Sequence, residues 1–246
     1  MEQEVLQMIR DNYIDVKPLG DSALVVQLAD EVSEEAHRKV MRLIQAVENN
    51  PFEGFLEAVP TYTNVTIFYD PMKVHQTHDR EQTIFETVRN LMKGYSTKKN
   101  PYIKEKSRLV EIPVLYGDEF GPDLEYVAQI NHLSKDEVIQ IHSENEYLAY
   151  MIGFAPGFPF LGGMDKRIEA PRKDTPRAAI PAGSVGIAGK QTGIYPFESP
   201  GGWQIIGRTP VELFLPENNP PTLITPGDRL RFVPMNHEEY MKRIGG

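Results

Sequence analysis

The chain contains no cysteine, which excludes disulfides and thiolate chemistry and makes a reducing cytoplasm the simplest setting. It contains no apolar run approaching the ~20 residues of a membrane span. Its start, MEQEVLQMIRDNY, is acidic and amphipathic and lacks the basic opening and apolar stretch of a signal peptide. Three common catalytic signatures are missing as well: there is no GxxxxGKS/T phosphate loop, no HExxH and no GxSxG. Ser184 does lie between glycines, in Gly183-Ser184-Val185-Gly186, but at the wrong spacing for a nucleophile elbow, so it reads as a serine at a strand entry. The six histidines are His37, His75, His78, His132, His142 and His237. No two of them stand at metal-ligand spacing on a convincing helix face, and no metal site is expected.

Positive charge is in short supply: 26 Lys and Arg stand against 35 Asp and Glu, a net −9. That balance argues against nucleic acid or an acidic membrane as partner. The deficit is uneven. Residues 151–246 hold 11 Lys and Arg and 9 Asp and Glu, a balance of +2, which leaves −11 on residues 1–150. A mildly basic segment within an acidic protein suits a small anionic ligand, although chance scatter produces the same pattern.

The length, 246 residues, suits one large domain or two modest ones. Residues 1–95 read as a small α/β domain. It has strands over 22–28, 55–60 and 64–69 and an amphipathic helix over 33–49 capped by Ser33. Asp70-Pro71 is a turn signal, and a second helix follows with Ile84, Phe85, Val88, Leu91 and Met92 buried and Gly94 as its stop. Two helices on one face of a small sheet make an α+β arrangement. Residues 96–107, polar and basic around Pro101, read as a linker. Residues 108–246 read as a mainly-β domain. A strand over 108–115 leads into two short helices over 122–131 and 134–142, the second opened by a Ser134–Glu137 capping box. A strand over 146–152 comes next, then short segments over 184–188, 203–207, 211–215, 223–224 and 229–233, the pattern of a barrel or sandwich.

The most informative stretch lies between Gly153 and Pro210. Glycine and proline punctuate it every few residues, with aromatics and arginines between. Glycine admits positive φ and proline fixes φ, so together they specify one irregular path that turns barrel corners or lines a site. Phe154, Pro156, Gly157 and Phe158 belong to a loop able to present backbone N–H groups and aromatic faces to a ligand. Arg172, Arg177, Lys190 and Arg208 are interleaved with prolines, and arginine suits bidentate binding of carboxylate or phosphate. If these cations converge, they form one anion site. Lys190 and Gln191 share a Gly-bounded turn. Trp203 reads as a core anchor. His142 ends a helix just before this block, where a helix C-terminus favours a cationic imidazole; the alternative is a local packing histidine.

The pieces GFAPGFPFLGG, PRKDTPR, IPAGSVGIAGKQTGIYP and SPGGWQIIGRTP, together with His142, DSALVVQL and TNVTIFYDP, closely resemble the carboxyltransferase-like family that contains allophanate hydrolase subunit 1 and KipI. The length suits its stand-alone type, also known as the B subunit of a bacterial ATP-dependent 5-oxoprolinase. The resemblance implies an α+β N-terminal domain followed by a cyclophilin-like β-barrel. It implies two partners, a homologous KipA-like C subunit and a separate A subunit, and an ATP site shared with them. It also implies a role as inhibitor of a sporulation histidine kinase. Read onto these positions, Arg172, Arg177, Lys190 and Arg208 are expected to bind the anion and His142 to move or orient a proton, with Lys190 also catalytic. A prolyl isomerase is not expected, because a fold does not carry function.

Overall fold

The computed structural model describes residues 15–77, 81–97 and 107–245. The chain divides into two compact units, Met1–Glu105 and Lys106–Gly246. The N-terminal segment 1–14 and most of the expected linker, residues 98–106, lie outside the described residues.

The first unit is an antiparallel sheet of four strands, β1 (Asp15–Pro18), β2 (Ala23–Gln27), β3 (Phe55–Pro60) and β4 (Asn64–Tyr69), in the order β1-β2-β4-β3. Alternation places Leu24 and Val26 of β2 and Val65, Ile67 and Tyr69 of β4 in one core, facing the helices. Helix α1 (Glu34–Glu48) begins at Ser33, whose hydroxyl accepts the Ala36 N–H, and supplies Val40, Leu43, Ile44 and Val47 to that core. Asp70-Pro71, expected to be a turn, instead opens helix α2 (Pro71–Thr77). The Asp70 carboxylate accepts the Met72 and Lys73 N–H groups, and Pro71 takes the first helical position, where no N–H is needed. Helix α3 (Ile84–Thr97) runs through Gly94 rather than stopping there.

The second unit is built on seven strands: β5 (Leu109–Tyr116), β6 (Tyr147–Ile152), β7 (Pro159–Gly162), β9 (Ser184–Ala188), β10 (Gln191–Ile194), β12 (Gln204–Arg208) and β13 (Arg229–Pro234). They close into a barrel in the order β10-β7-β6-β13-β5-β12-β9. All pairs are antiparallel except β5 with β13. Helices α4 (Leu124–Ile130) and α5 (Lys135–Glu144) pack on the barrel, and Leu124, Val127, Val138 and Ile141 join its core with Ile112, Val185, Ile187, Ile206 and Phe232. The expected Ser134–Glu137 capping box is formed. Residues 211–215 and 223–224, expected as strands, form only a bridge between Phe214 and Thr222.

A two-stranded flap, β8 (Arg177–Ile180) with β11 (Ser199–Gly201), lies outside the barrel. Ile180 packs into a second cluster with Phe158, Ala188, Tyr195, Trp203 and Ile205. The wall of the barrel therefore has two furnished sides. A last helix, α6 (His237–Ile244), is closed by an Asn236–Glu239 capping box and buries Tyr240.

Candidate functional site

Tyr116, His142 and Thr192 meet inside the barrel. His142 is 0 % exposed and its ring stacks on Phe232 at 4.3 Å. Tyr116 Oη lies 2.8 Å from His142 Nδ1, and Thr192 Oγ1 lies 2.9 Å from Nε2. The Thr192 hydroxyl donates to the Gly186 carbonyl at 3.1 Å. Its lone pair is thus left for the Nε2–H of His142, and Nδ1 accepts the Tyr116 hydroxyl. The expected cationic imidazole is corrected here. Burial holds the His142 pKa down to about 3, because desolvating an imidazolium costs far more than a helix C-terminus returns. His142 is a neutral bridge in the core and does not open on solvent.

The opposite side of the wall carries most of the loop residues expected to bind. Phe154 is 74 % exposed with φ +66, a conformation that bulky residues rarely hold. Its ring meets buried Phe158 edge-on at 5.5 Å, and Phe158 meets Tyr195 and Trp203 at 5.7 Å each. Gly157 has φ +82, and a Cβ there would lie 3.0 Å from Phe214 Cβ, so the turn needs glycine. Pro156 is exposed beside it. Arg172 is exposed and lies 6.0 Å over the Trp203 ring. The Ala170–Gly189 bridge brings the β9–β10 hairpin, with exposed Lys190 and half-buried Gln191, to the segment that carries Arg172.

Arg177 is not a free cation. It forms a two-pronged pair with Asp123, both contacts at 2.8 Å, and Lys173 adds a third at 3.3 Å. Asp123 also accepts the Ile205 N–H at 2.7 Å. Burial alone would raise its pKa, but the Arg177 pair, the Ile205 N–H and Lys173 outweigh it and hold the carboxyl below its usual range. Asp123 was not singled out in the sequence. Its partners lie 50 to 82 residues away, and only its place at the start of α4 was visible. The clasp ties the flap to the barrel.

Arg208 stands apart from these. It is half-buried on β12, with its guanidinium 5.5 Å over the Phe120 ring. The expected convergence of four cations on one pocket is thus corrected. Arg172 and Lys190 border the aromatic face, Arg177 is neutralised by Asp123, and Arg208 rests on a different ring. Prolines and glycines set each side chain's path, and the acid that captures Arg177 comes from another element. Among the described residues no group of three His, Cys, Asp or Glu side chains is placed to hold a metal ion, and no helix is long and apolar enough to cross a membrane.

Residues 14–224 match the family described as carboxyltransferase domain, subdomain C and D. The chain is 50% identical over 226 residues to a Bacillus subtilis protein named as the B subunit of 5-oxoprolinase, covering 92% of this chain and 94% of that one. It is 37% identical to the crystal structure of TTHA0988, with a TM-score of 0.73 over 90% of this chain, and spans 40% of that chain's length. The Kluyveromyces lactis urea amidolyase shares the fold at a TM-score of 0.75 and 22% identity, over 94% of this chain and 15% of its own.

Proposed function

This chain belongs to the carboxyltransferase family of subdomains C and D, and from that premise we propose that it is the B subunit of an ATP-dependent 5-oxoprolinase. In this reading it acts with a homologous C subunit and a separate A subunit to open 5-oxoproline to L-glutamate. The observation that carries the proposal is the 50% identity to a protein of that name over nearly the full length of both chains.

A lactam amide is a poor electrophile. Transfer of the ATP γ-phosphoryl group to the lactam oxygen releases ADP and activates the ring carbon. Water then adds, the C–N bond opens as nitrogen takes a proton, and a second water releases inorganic phosphate and leaves glutamate. The chain's own contribution is binding and orientation. Arg172 and Lys190, exposed and without a carboxylate partner among the described residues, meet phosphate charge at the edge of the aromatic face. They supply one side of a nucleotide site, and the metal-binding side comes from a partner protein. Phe154 and Pro156 form the lip on which that partner closes. His142 holds the barrel wall behind the site and transfers no proton to substrate.

The test is co-purification with the A and C subunits and a 5-oxoproline-dependent ATPase assay. Turnover should require this chain and fall about 10-fold or more in Arg172→Ala and Lys190→Ala, the scale of a lost transition-state donor. Full turnover by the two partners alone, or by both variants, overturns the proposal. Exposed Phe154 also supports a second reading, in which this face docks a helix of a sporulation histidine kinase and a KipA-like partner relieves it. Binding to the purified kinase without loss of autophosphorylation would reject it.

A further inference from the structure

We propose that Ser184 and Arg208 form a notch that holds the carboxylate of a small cyclic amide acid. The ligand's identity rests on the 5-oxoprolinase reading; the notch does not. Ser184 and Arg208 are directly opposed on β9 and β12, so their side chains share one face of the wall. Ser184 is 0 % exposed, and its Oγ has no hydrogen-bond partner; Arg208 Nε is likewise buried without one. Buried polar atoms are seldom left so, and two orphans on one cross-strand pair mark a place where polar contact is held in reserve.

The other arginines of this unit that are tied to acids show what Arg208 lacks. Arg108 pairs with Asp228 at 2.6 Å, Arg167 with Asp165 at 2.7 Å, Arg177 with Asp123 at 2.8 Å and Arg231 with Glu111 at 2.9 Å. Arg208 has no carboxylate among the described residues and lies on Phe120 instead, whose other contacts are Tyr240 at 4.8 Å and His237 at 6.0 Å. Gly183 (φ +77) lines its stem: a Cβ there would collide with the Thr209 carbonyl and come within 3.4 Å of Arg208 Cγ. A guanidinium presents paired N–H groups to a planar carboxylate, the serine hydroxyl adds a third donor, and Phe120 offers an apolar surface to a small ring. 5-Oxoproline carries a carboxylate beside such a ring. Because Nε and Oγ are covered, binding turns Arg208 on its flexible stem.

The experiment titrates 5-oxoproline into the full chain labelled with 15N-arginine and follows the Arg208 Nε–H resonance. Parallel titrations use 2-pyrrolidinone, which is the same ring without the carboxylate, and inorganic phosphate. A saturable shift with 5-oxoproline and none with 2-pyrrolidinone is expected. Arg208→Gln and Arg208→Lys should each weaken binding about 10-fold or more, since lysine loses the fork. Ser184→Ala should weaken it roughly 3-fold while the melting temperature holds or rises, because it removes an unpaired hydroxyl. An unmoved resonance at saturating 5-oxoproline, or unchanged affinity in Arg208→Gln, overturns the notch. A stronger response to inorganic phosphate overturns its assignment to a carboxylate. If glutamate or acetate moves Arg208 and 5-oxoproline does not, the notch stands and the 5-oxoprolinase reading falls.

Discussion

The two sides of the barrel wall hold their polar groups on different terms. Inside, Tyr116 donates to His142, His142 to Thr192 and Thr192 to Gly186, and each hydrogen has an acceptor. Outside, a strained phenylalanine projects into solvent, Arg172 lies on Trp203, and Ser184 and Arg208 carry unpaired polar atoms. A saturated network rigidifies what surrounds it and has nothing left to offer a ligand. An unsaturated one on the same wall keeps its donors for something else. Asp123 belongs to the outer side yet follows the inner rule, since it is met by Arg177, Lys173 and the Ile205 N–H. Function therefore belongs on the outer side, and the inner network and the clasp are what hold that side in shape.

Breaking the clasp should have the largest effect. Asp123→Ala leaves Arg177 and the Ile205 N–H without their partner and should cost ~3–5 kcal/mol in chemical denaturation. A loss below about 1 kcal/mol would show the flap to be held by apolar packing alone. Opening the inner network should come next. His142→Ala should cost ~2–4 kcal/mol through the cavity and two lost hydrogen bonds.

The inner network also predicts a pH signature. His142 has its folded pKa depressed to about 3 from 6.5, so the unfolded chain takes up the proton first. The stability it contributes is fully present above pH 6.5 and lost as pH falls towards 3, with a slope of about 1.4 kcal/mol per unit. His142→Gln should remove that component of the slope; an unchanged slope would mean that the imidazole is charged or hydrated in the fold. Asp123, its carboxyl also depressed, adds to acid loss only below its unfolded value near 3.8, so the two are separable between pH 4 and 6.5.

The smallest stability change should come from the outer loop. Phe154→Ala should leave stability within ~0.5 kcal/mol, as for an exposed side chain, while weakening assembly with the partner subunits. Phe154→Gly should raise stability by up to ~1 kcal/mol by relieving the left-handed backbone. A glycine variant that assembles as well as wild type would show that the aromatic ring is not the contact.

Much of the local structure could be read from the residues. Ser33 and Ser134 cap helices as expected, because a cap hydroxyl needs only the N–H groups three residues on. The strands over 55–60 and 64–69 are where alternation places them. Strands β7, β8, β10 and β11 went unread: each is three or four residues long and bounded by glycine or proline, too short for a period of two to register. Asp70-Pro71 was misread because the same pair that starts a turn also starts a helix. In the site, the aromatic loop and Arg172 were legible as residue types, whereas Asp123, Phe120 and Ser184 were not, since nothing in the local sequence distinguishes an acid that faces solvent from one that meets two cations.

From the chain of letters alone came the helix caps, the stiff Gly/Pro path after Ile152 and the kinship with carboxyltransferase domains. These depend on neighbours a few residues apart or on long stretches of identity. The tertiary structure alone decided that His142 is neutral, that Arg177 is spoken for and that Arg208 is not. Charge state and pairing are set by burial and by groups 26 to 82 residues distant, and closing the barrel is what brings those groups within hydrogen-bonding reach.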